Sequence, residues 1–224
     1  MRRKQIRAFI SYSSKDKDFA GKIKDKLSEF DIKCFLAHED MNTSAAWEQQ
    51  IINELKKCDI FIPILSYNFR KSDWTQMELG SIILRKILII PLSLDETVPF
   101  GFIRQLNGKS IGSDIPISYL ITPILERRQL TRHMTYLLIK KLRAAGSFMD
   151  AECLMGLLEP YFKTLSPRDR DRLVEYSIEN NQIWSADNCR ELLKSFLRIH
   201  RKNSRKKKFI ELSKKIIGKR FYES

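Results

Sequence analysis

Residues 59–66 read DIFIPILS, six apolar residues in succession between an aspartate and a serine. A strand with one wet face alternates polar and apolar side chains, so an unbroken apolar run of this length predicts a strand covered on both faces. The same pattern repeats on either side of it. Upstream, IRAFISY (6–12) is a short run rich in β-formers, a polar SSKD turn follows, and Phe19, Ile23, Leu27 and Phe30 then recur at helical spacing. IKCFLA (32–37) predicts a second strand, HEDMNTSAA a polar loop, and WEQQIINELKKC (47–58) a helix with Trp47, Ile51, Ile52 and Leu55 inward. Downstream, SDWTQMELGSIILR (72–85) predicts a third helix with Ser72 as its N-cap, and KILIIPLSL (86–94) a fourth strand. A weaker fifth strand is expected near Lys109–Ile111. Buried strands alternating with helices imply an α/β fold with a parallel sheet covered on each side.

Beyond this point the pattern is helical only, which divides the chain into residues 1–122 and 123–224. Leu125, Leu130, Met134, Leu137, Leu138 and Leu142 form one apolar stripe ending near Gly146. Ser166-Pro167-Arg168-Asp169 combines an N-cap, a proline at the first helical position and an acid in the first turn. A further helix is expected to begin at Ser185, and HRKNSRKKK (200–208) reads as a basic linker or helix start. No repeat of clear period is visible, so the second part is expected to be a small bundle.

Composition bounds the function. The 224 residues are 43% hydrophobic and 30% charged, enough for a core or two in a soluble globular protein. The apolar stretch Ile82–Leu94 is split by Arg85 and Lys86 and falls short of the roughly 20 residues a membrane span requires. The start of the chain lacks the apolar run and cleavage site of a signal peptide, so a cytoplasmic location is expected. Cys34, Cys58, Cys153 and Cys189 lie far apart without a CxxC pair, which fits a reducing compartment and no zinc site. Net charge is +14, but residues 1–125 carry +3 of it and the remainder +11. That basic half is either a solvated helical surface or an attraction to an anionic partner. There is no GxGxxG, GxxxxGK[ST] or GxSxG, so no pyrophosphate cradle, P-loop or nucleophile elbow is written here. Of the histidines His38, His133 and His200, only His38 falls beside the sheet loops, where it reads as a loop residue.

In a parallel sheet ligands gather at the carboxyl ends of the strands. Those ends are SYSSKD (11–16), HEDMNTSAA (38–46), SYNFRKSDW (66–74) and the loop after Leu94. SDWTQMELG opens the third helix on that edge and places Trp74 and Glu78 four residues apart, on one helical face. On spacing alone this is a packed indole with a solvated acid, or a site. Trp47 reads as core, Phe35 as part of the second strand.

FISYSSKD, FLAHEDM with its following tryptophan, CDIFIPILS and SDWTQMELG, in this order over residues 5–112, resemble a Toll/interleukin receptor (TIR) domain in its bacterial form. The resemblance implies a flavodoxin-like five-stranded parallel sheet, and it does not extend to residues 113–224. It implies one of two functions: an adaptor that assembles complexes, or an enzyme that cleaves NAD+ between nicotinamide and ribose. In the enzymes the glutamate of S-x-W-x-x-x-E is essential and its tryptophan stacks on the dinucleotide; Ser72, Trp74 and Glu78 match position for position.

The chemistry is consistent with a single acid. Nicotinamide leaves NAD+ as a neutral molecule and needs no general acid, whereas glycoside hydrolysis employs a pair. A fixed carboxylate would offset positive charge growing on the ribose, and an indole face suits a base or the cationic ring. Ser11, Ser13 and Ser14 either cap the first helix or offer hydroxyls to a phosphate. Asp40, beside Glu39, is loop surface or a ribose contact. No cofactor or metal is expected, NAD+ being the substrate.

The leading expectation is an NAD+ nucleosidase or ADP-ribosyl cyclase, depleting NAD+ or making a signal that a downstream effector reads, as in antiphage systems such as Thoeris. A non-catalytic adaptor or effector acting by contact, and a nucleic-acid-binding regulator using the basic half, are the alternatives. The resemblance also implies self-association through TIR domains, with residues 38–46 covering a neighbour's crevice.

Overall fold

The computed structural model of the chain describes residues 5–37, 45–112, 115–203 and 206–217. It divides into two compact units, Met1–Arg127 and Arg128–Ser224.

The first unit is a parallel sheet with helices. Its elements are β1 (Arg7–Ser11), α1 (Lys17–Ser28), β2 (Lys33–Ala37), α2 (Ala45–Lys57), β3 (Ile60–Leu65), α3 (Tyr67–Lys71), α4 (Asp73–Ile83), β4 (Leu88–Ile89), β5 (Leu92–Ser93), β6 (Lys109–Ser110) and α5 (Ile117–Glu126). The strand order is β2-β1-β3-β5-β6, with β4 also paired to β3, and every pairing is parallel. The expected fourth strand is thus present but interrupted. Pro91 has no N–H to give the ladder, so its neighbours pair on either side of it: Ile90 N–H donates to Phe61 O and Leu94 N–H to Leu65 O. With β4 and β5 taken as one broken strand, the order is 2-1-3-4-5, that of flavodoxin-like doubly wound sheets. The weak fifth strand is β6.

β3, the stretch from which the fold was read, is buried at all six positions. Its Phe61 lies beside Phe9 of β1, which lies beside Phe35 of β2, all in register. Their ring centroids are 5.7 and 5.4 Å apart, and Trp47 of α2 stands 5.7 Å from Phe35. Trp47 therefore packs on the aromatic row of the sheet and belongs to the core, as expected. Ile51 and Leu55 are buried beneath α2, but Ile52 is exposed. The apolar stripe of α2 is narrower than the sequence indicated. A short helix, α3, which periodicity did not reveal, precedes α4.

The second unit contains α6 (Arg128–Arg143), α7 (Phe148–Leu158), α8 (Pro167–Glu179), α9 (Asn181–Trp184), α10 (Asp187–Ile199) and α11 (Lys207–Ile217). The stripe from Leu125 to Leu142 spans two helices, because Arg127 is extended (φ −79°, ψ 99°) and ends α5. Ser166 caps α8 as expected, accepting from Asp169 N–H at 3.2 Å. Ser185 does not begin a helix. It ends α9, and α10 starts two residues later. Asn180 links two helix ends: its Nδ2 donates to the carbonyls of Arg143 (3.1 Å), the last residue of α6, and Ala145 (3.0 Å), just beyond it, while its Oδ1 caps α9 through Gln182 N–H. Phe162, Phe196 and Phe209 form the aromatic centre of this unit. Within the basic run 200–208, Lys206 pairs with Asp171 and Lys208 with Glu175 of α8, so these two lysines hold α8 rather than forming a free patch. Among the described residues no helix is long and apolar enough to cross a membrane.

Candidate active site

Three strands of the first unit finish in, or just before, a buried serine on the carboxyl edge: Ser11 at the end of β1, Ser66 after β3 and Ser93 at the end of β5. A hydroxyl at such a position is small enough to be covered and polar enough to meet whatever helix crosses the edge. The helix that crosses it is α4. Ser72 opens it, its Oγ accepting from Thr75 N–H at 3.3 Å. Thr75 in turn donates its hydroxyl to the carbonyls of Phe69 (2.5 Å) and Ser72 (2.9 Å). The first turn is thereby tied down on both sides.

One turn later Glu78 enters the edge. Its residue is 5% exposed, and Ser11 Oγ donates to its Oε2 at 2.5 Å. An acid on a helix surface is ordinarily solvated, and burying one is costly unless partners hold it. Of the two readings of the Trp74–Glu78 spacing, the solvated acid is excluded by this burial. Trp74, at the same face, is half-buried.

The remaining expected residues separate. Ser13 is buried where a 3-10 turn begins, its carbonyl accepting from Asp16 N–H at 2.7 Å, and neither it nor the turn uses a side-chain cap. Ser14 is exposed. None of the three serines caps α1. Asp40, Glu39 and His38 lie outside the described residues.

Two residues of this edge were not expected. Asp16, the last residue of FISYSSKD, is 7% exposed and accepts from Ser66 Oγ at 2.6 Å. Its position before α1 signals an N-cap, and nothing local distinguishes a capping aspartate from one turned inward. Asp95, after β5, accepts from Tyr67 N–H at 2.8 Å and Thr97 Oγ1 at 2.5 Å. Burial raises its carboxyl pKa, and these hydrogen bonds outweigh burial and leave it below the ordinary value.

Cysteine chemistry is disfavoured by environment. Burial pushes the Cys34 thiol up to about 12 and the Cys58 thiol up to about 11, the latter despite Arg85 beside it. Among the described residues no three His, Cys, Asp or Glu side chains come together as a metal site requires.

Residues 8–113 match the model of the TIR domain family, and the first unit has the corresponding fold. Over 90 residues the chain is 31% identical to the NAD(+) hydrolase TcpC of Escherichia coli O6:H1 strain CFT073. The aligned part is 38% of this chain and 29% of that protein.

Proposed function

We propose that the first unit cleaves NAD+ at the bond between nicotinamide and ribose. The observation that carries this is the buried Glu78 carboxylate, held by the Ser11 hydroxyl at the carboxyl edge of the sheet one turn beyond Trp74. The match to TIR domains and the likeness to an NAD(+) hydrolase support it.

In this reading the C1′–N bond breaks with its electron pair passing to the pyridinium, which leaves as neutral nicotinamide. Positive charge develops on the ribose ring. Glu78, pre-oriented by Ser11, stabilises it without reorganisation. The half-buried Trp74 supplies an apolar face for the dinucleotide. Water then adds at C1′ and releases a proton, giving ADP-ribose; attack by a nucleophile of the same molecule gives a cyclic product instead. No cofactor is required in either route. We place the activity in the cytoplasm, in bacterial immune signalling or NAD+ depletion, with TIR self-association completing the site and Ser72 fixing the start of the helix that carries Trp74 and Glu78. The helical unit sets assembly, and a downstream effector reads any ADP-ribose-type product.

The test is incubation of purified protein with NAD+, with chromatography for nicotinamide, ADP-ribose and cyclic ADP-ribose. Stoichiometric nicotinamide supports the enzyme. Its absence at high protein concentration favours an adaptor acting by contact.

A further inference from the structure

Asp16 stands in the N-cap position of α1, where an aspartate ordinarily accepts from the first free N–H groups of its own helix. Here it makes no such bond. Its carboxylate accepts instead from Ser66 Oγ, 50 residues away and buried, at 2.6 Å. Ser66 is the N-cap of α3, and its Oγ accepts from Phe69 N–H at 2.9 Å. The two bonds are coupled through one oxygen. Giving its proton to Asp16 leaves Ser66 a lone pair for Phe69 N–H, so the acid fixes the direction in which the cap works.

The other side of the Phe69 residue is equally occupied. Its carbonyl accepts from Thr75 Oγ1 at 2.5 Å, from Gln76 Nε2 at 3.2 Å and from Ser72 N–H at 3.3 Å. Thr75 and Gln76 belong to the first turn of α4, the turn that carries Trp74. A continuous chain therefore runs from Asp16 through Ser66 and the Phe69 backbone to the residues beside Trp74. All of Asp16, Ser66, Phe69 and Thr75 are buried, so water offers no substitute partner if one is lost.

We propose that Asp16 is a positioning residue for NAD+ cleavage, acting through Ser66 and the Phe69 backbone to set the first turn of α4 and with it Trp74. It does not touch the reacting atoms. The inference rests on the assignment of NAD+ cleavage to this edge, and one arm of its test does not.

The variants are Asp16→Ala, Asp16→Asn, Ser66→Ala and Thr75→Val, each assayed for nicotinamide release and for hydrogen exchange of the peptide spanning residues 66–80. Thr75→Val keeps the Ser66 cap and stands in should Ser66→Ala fail to fold. Asp16→Ala and Ser66→Ala are expected to speed exchange in that peptide and to lower kcat/KM about 10- to 100-fold, the scale of a misplaced substrate contact, chiefly by raising KM. Asp16→Asn, whose amide oxygen can still accept from Ser66, is expected to restore both to within about threefold of wild type. A lowered melting temperature with KM and exchange unchanged would make the role structural only and overturn the proposal. So would Asp16→Asn raising KM as much as Asp16→Ala while Ser66→Ala and Thr75→Val leave it alone, which would put Asp16 on the substrate. If the wild-type protein releases no nicotinamide, the NAD+ reading fails; unchanged exchange in the variants then also removes the chain through Ser66, and faster exchange upholds it.

Discussion

Ser11 and Glu78 are 67 residues apart in sequence and share a hydrogen bond of 2.5 Å at the edge of the sheet. One terminates β1, the other lies inside α4, and neither explains its own burial. The bond serves both: the carboxyl oxygen gives the buried hydroxyl an acceptor, and the hydroxyl gives the buried acid a donor.

The pair predicts a graded loss of activity. Glu78→Gln keeps the volume and removes the charge, so nicotinamide release is expected to fall on the order of 10²-fold or more with the fold retained. Ser11→Ala leaves the acid in place and removes one of the bonds that orient it, and a smaller loss, about tenfold, is expected. Release rates with circular dichroism spectra check both. A folded Glu78→Gln variant with near wild-type turnover would sink the assignment.

The two tryptophans of this unit are expected to respond oppositely. Trp47 packs on Phe35 in the aromatic row, and Trp47→Ala is expected to cost about 2–3 kcal/mol, lowering the melting temperature by roughly 5–10 °C. Trp74→Ala is expected to melt near wild type and to raise KM for NAD+. Thermal denaturation and steady-state kinetics on both variants separate the roles, and an exchange of behaviours would refute them.

Gly108 predicts a packing defect. A Cβ there would lie 2.9 Å from Pro99 Cγ, Pro99 Cδ and Ser93 Oγ. A proline ring cannot rotate away, so Gly108→Ala is expected to displace the loop between β5 and β6 at a cost of about 1–3 kcal/mol. Denaturant unfolding measures it. A variant as stable as wild type would show that the loop yields freely.

His200 predicts a pH dependence in the helical unit. Its ring faces Phe162 O from Nε2 at 2.9 Å and Arg170 from Nδ1 at 3.3 Å, a pattern that suits a neutral imidazole donating from Nε2 and accepting at Nδ1. Burial is the largest cause and lowers its pKa below 6.5; the Phe162 hydrogen bond opposes it, and the charge of Arg170 adds a smaller lowering. The folded state therefore binds fewer protons than the unfolded state just below that value. Stability is full above about pH 6.5 and declines as pH falls from there through the folded pKa. Melting temperatures between pH 5 and 7.5 should fall more steeply for wild type than for His200→Gln. Parallel curves would exclude His200 as the source.

The strand-helix alternation, the all-apolar β3, the core role of Trp47 and the candidate pair Trp74 and Glu78 were legible in the sequence, because each is written in a local period or a contiguous motif. Burial periodicity reports which side of an element faces the core, and a motif reports which residues travel together. Neither reports what meets them across the sheet. That Glu78 is buried rather than solvated, that Ser11 rather than Ser13 or Ser14 reaches it, and that Asp16 turns from its own helix to Ser66 were decided only by tertiary structure. The reason is that side-chain hydrogen bonds spanning 50 to 67 residues carry no period. The same holds at the helix ends. Ser72 and Ser166 cap as their local patterns say, whereas Ser185 ends a helix instead of starting one, since a serine serves either end and only the packing of the neighbouring helices chooses between them.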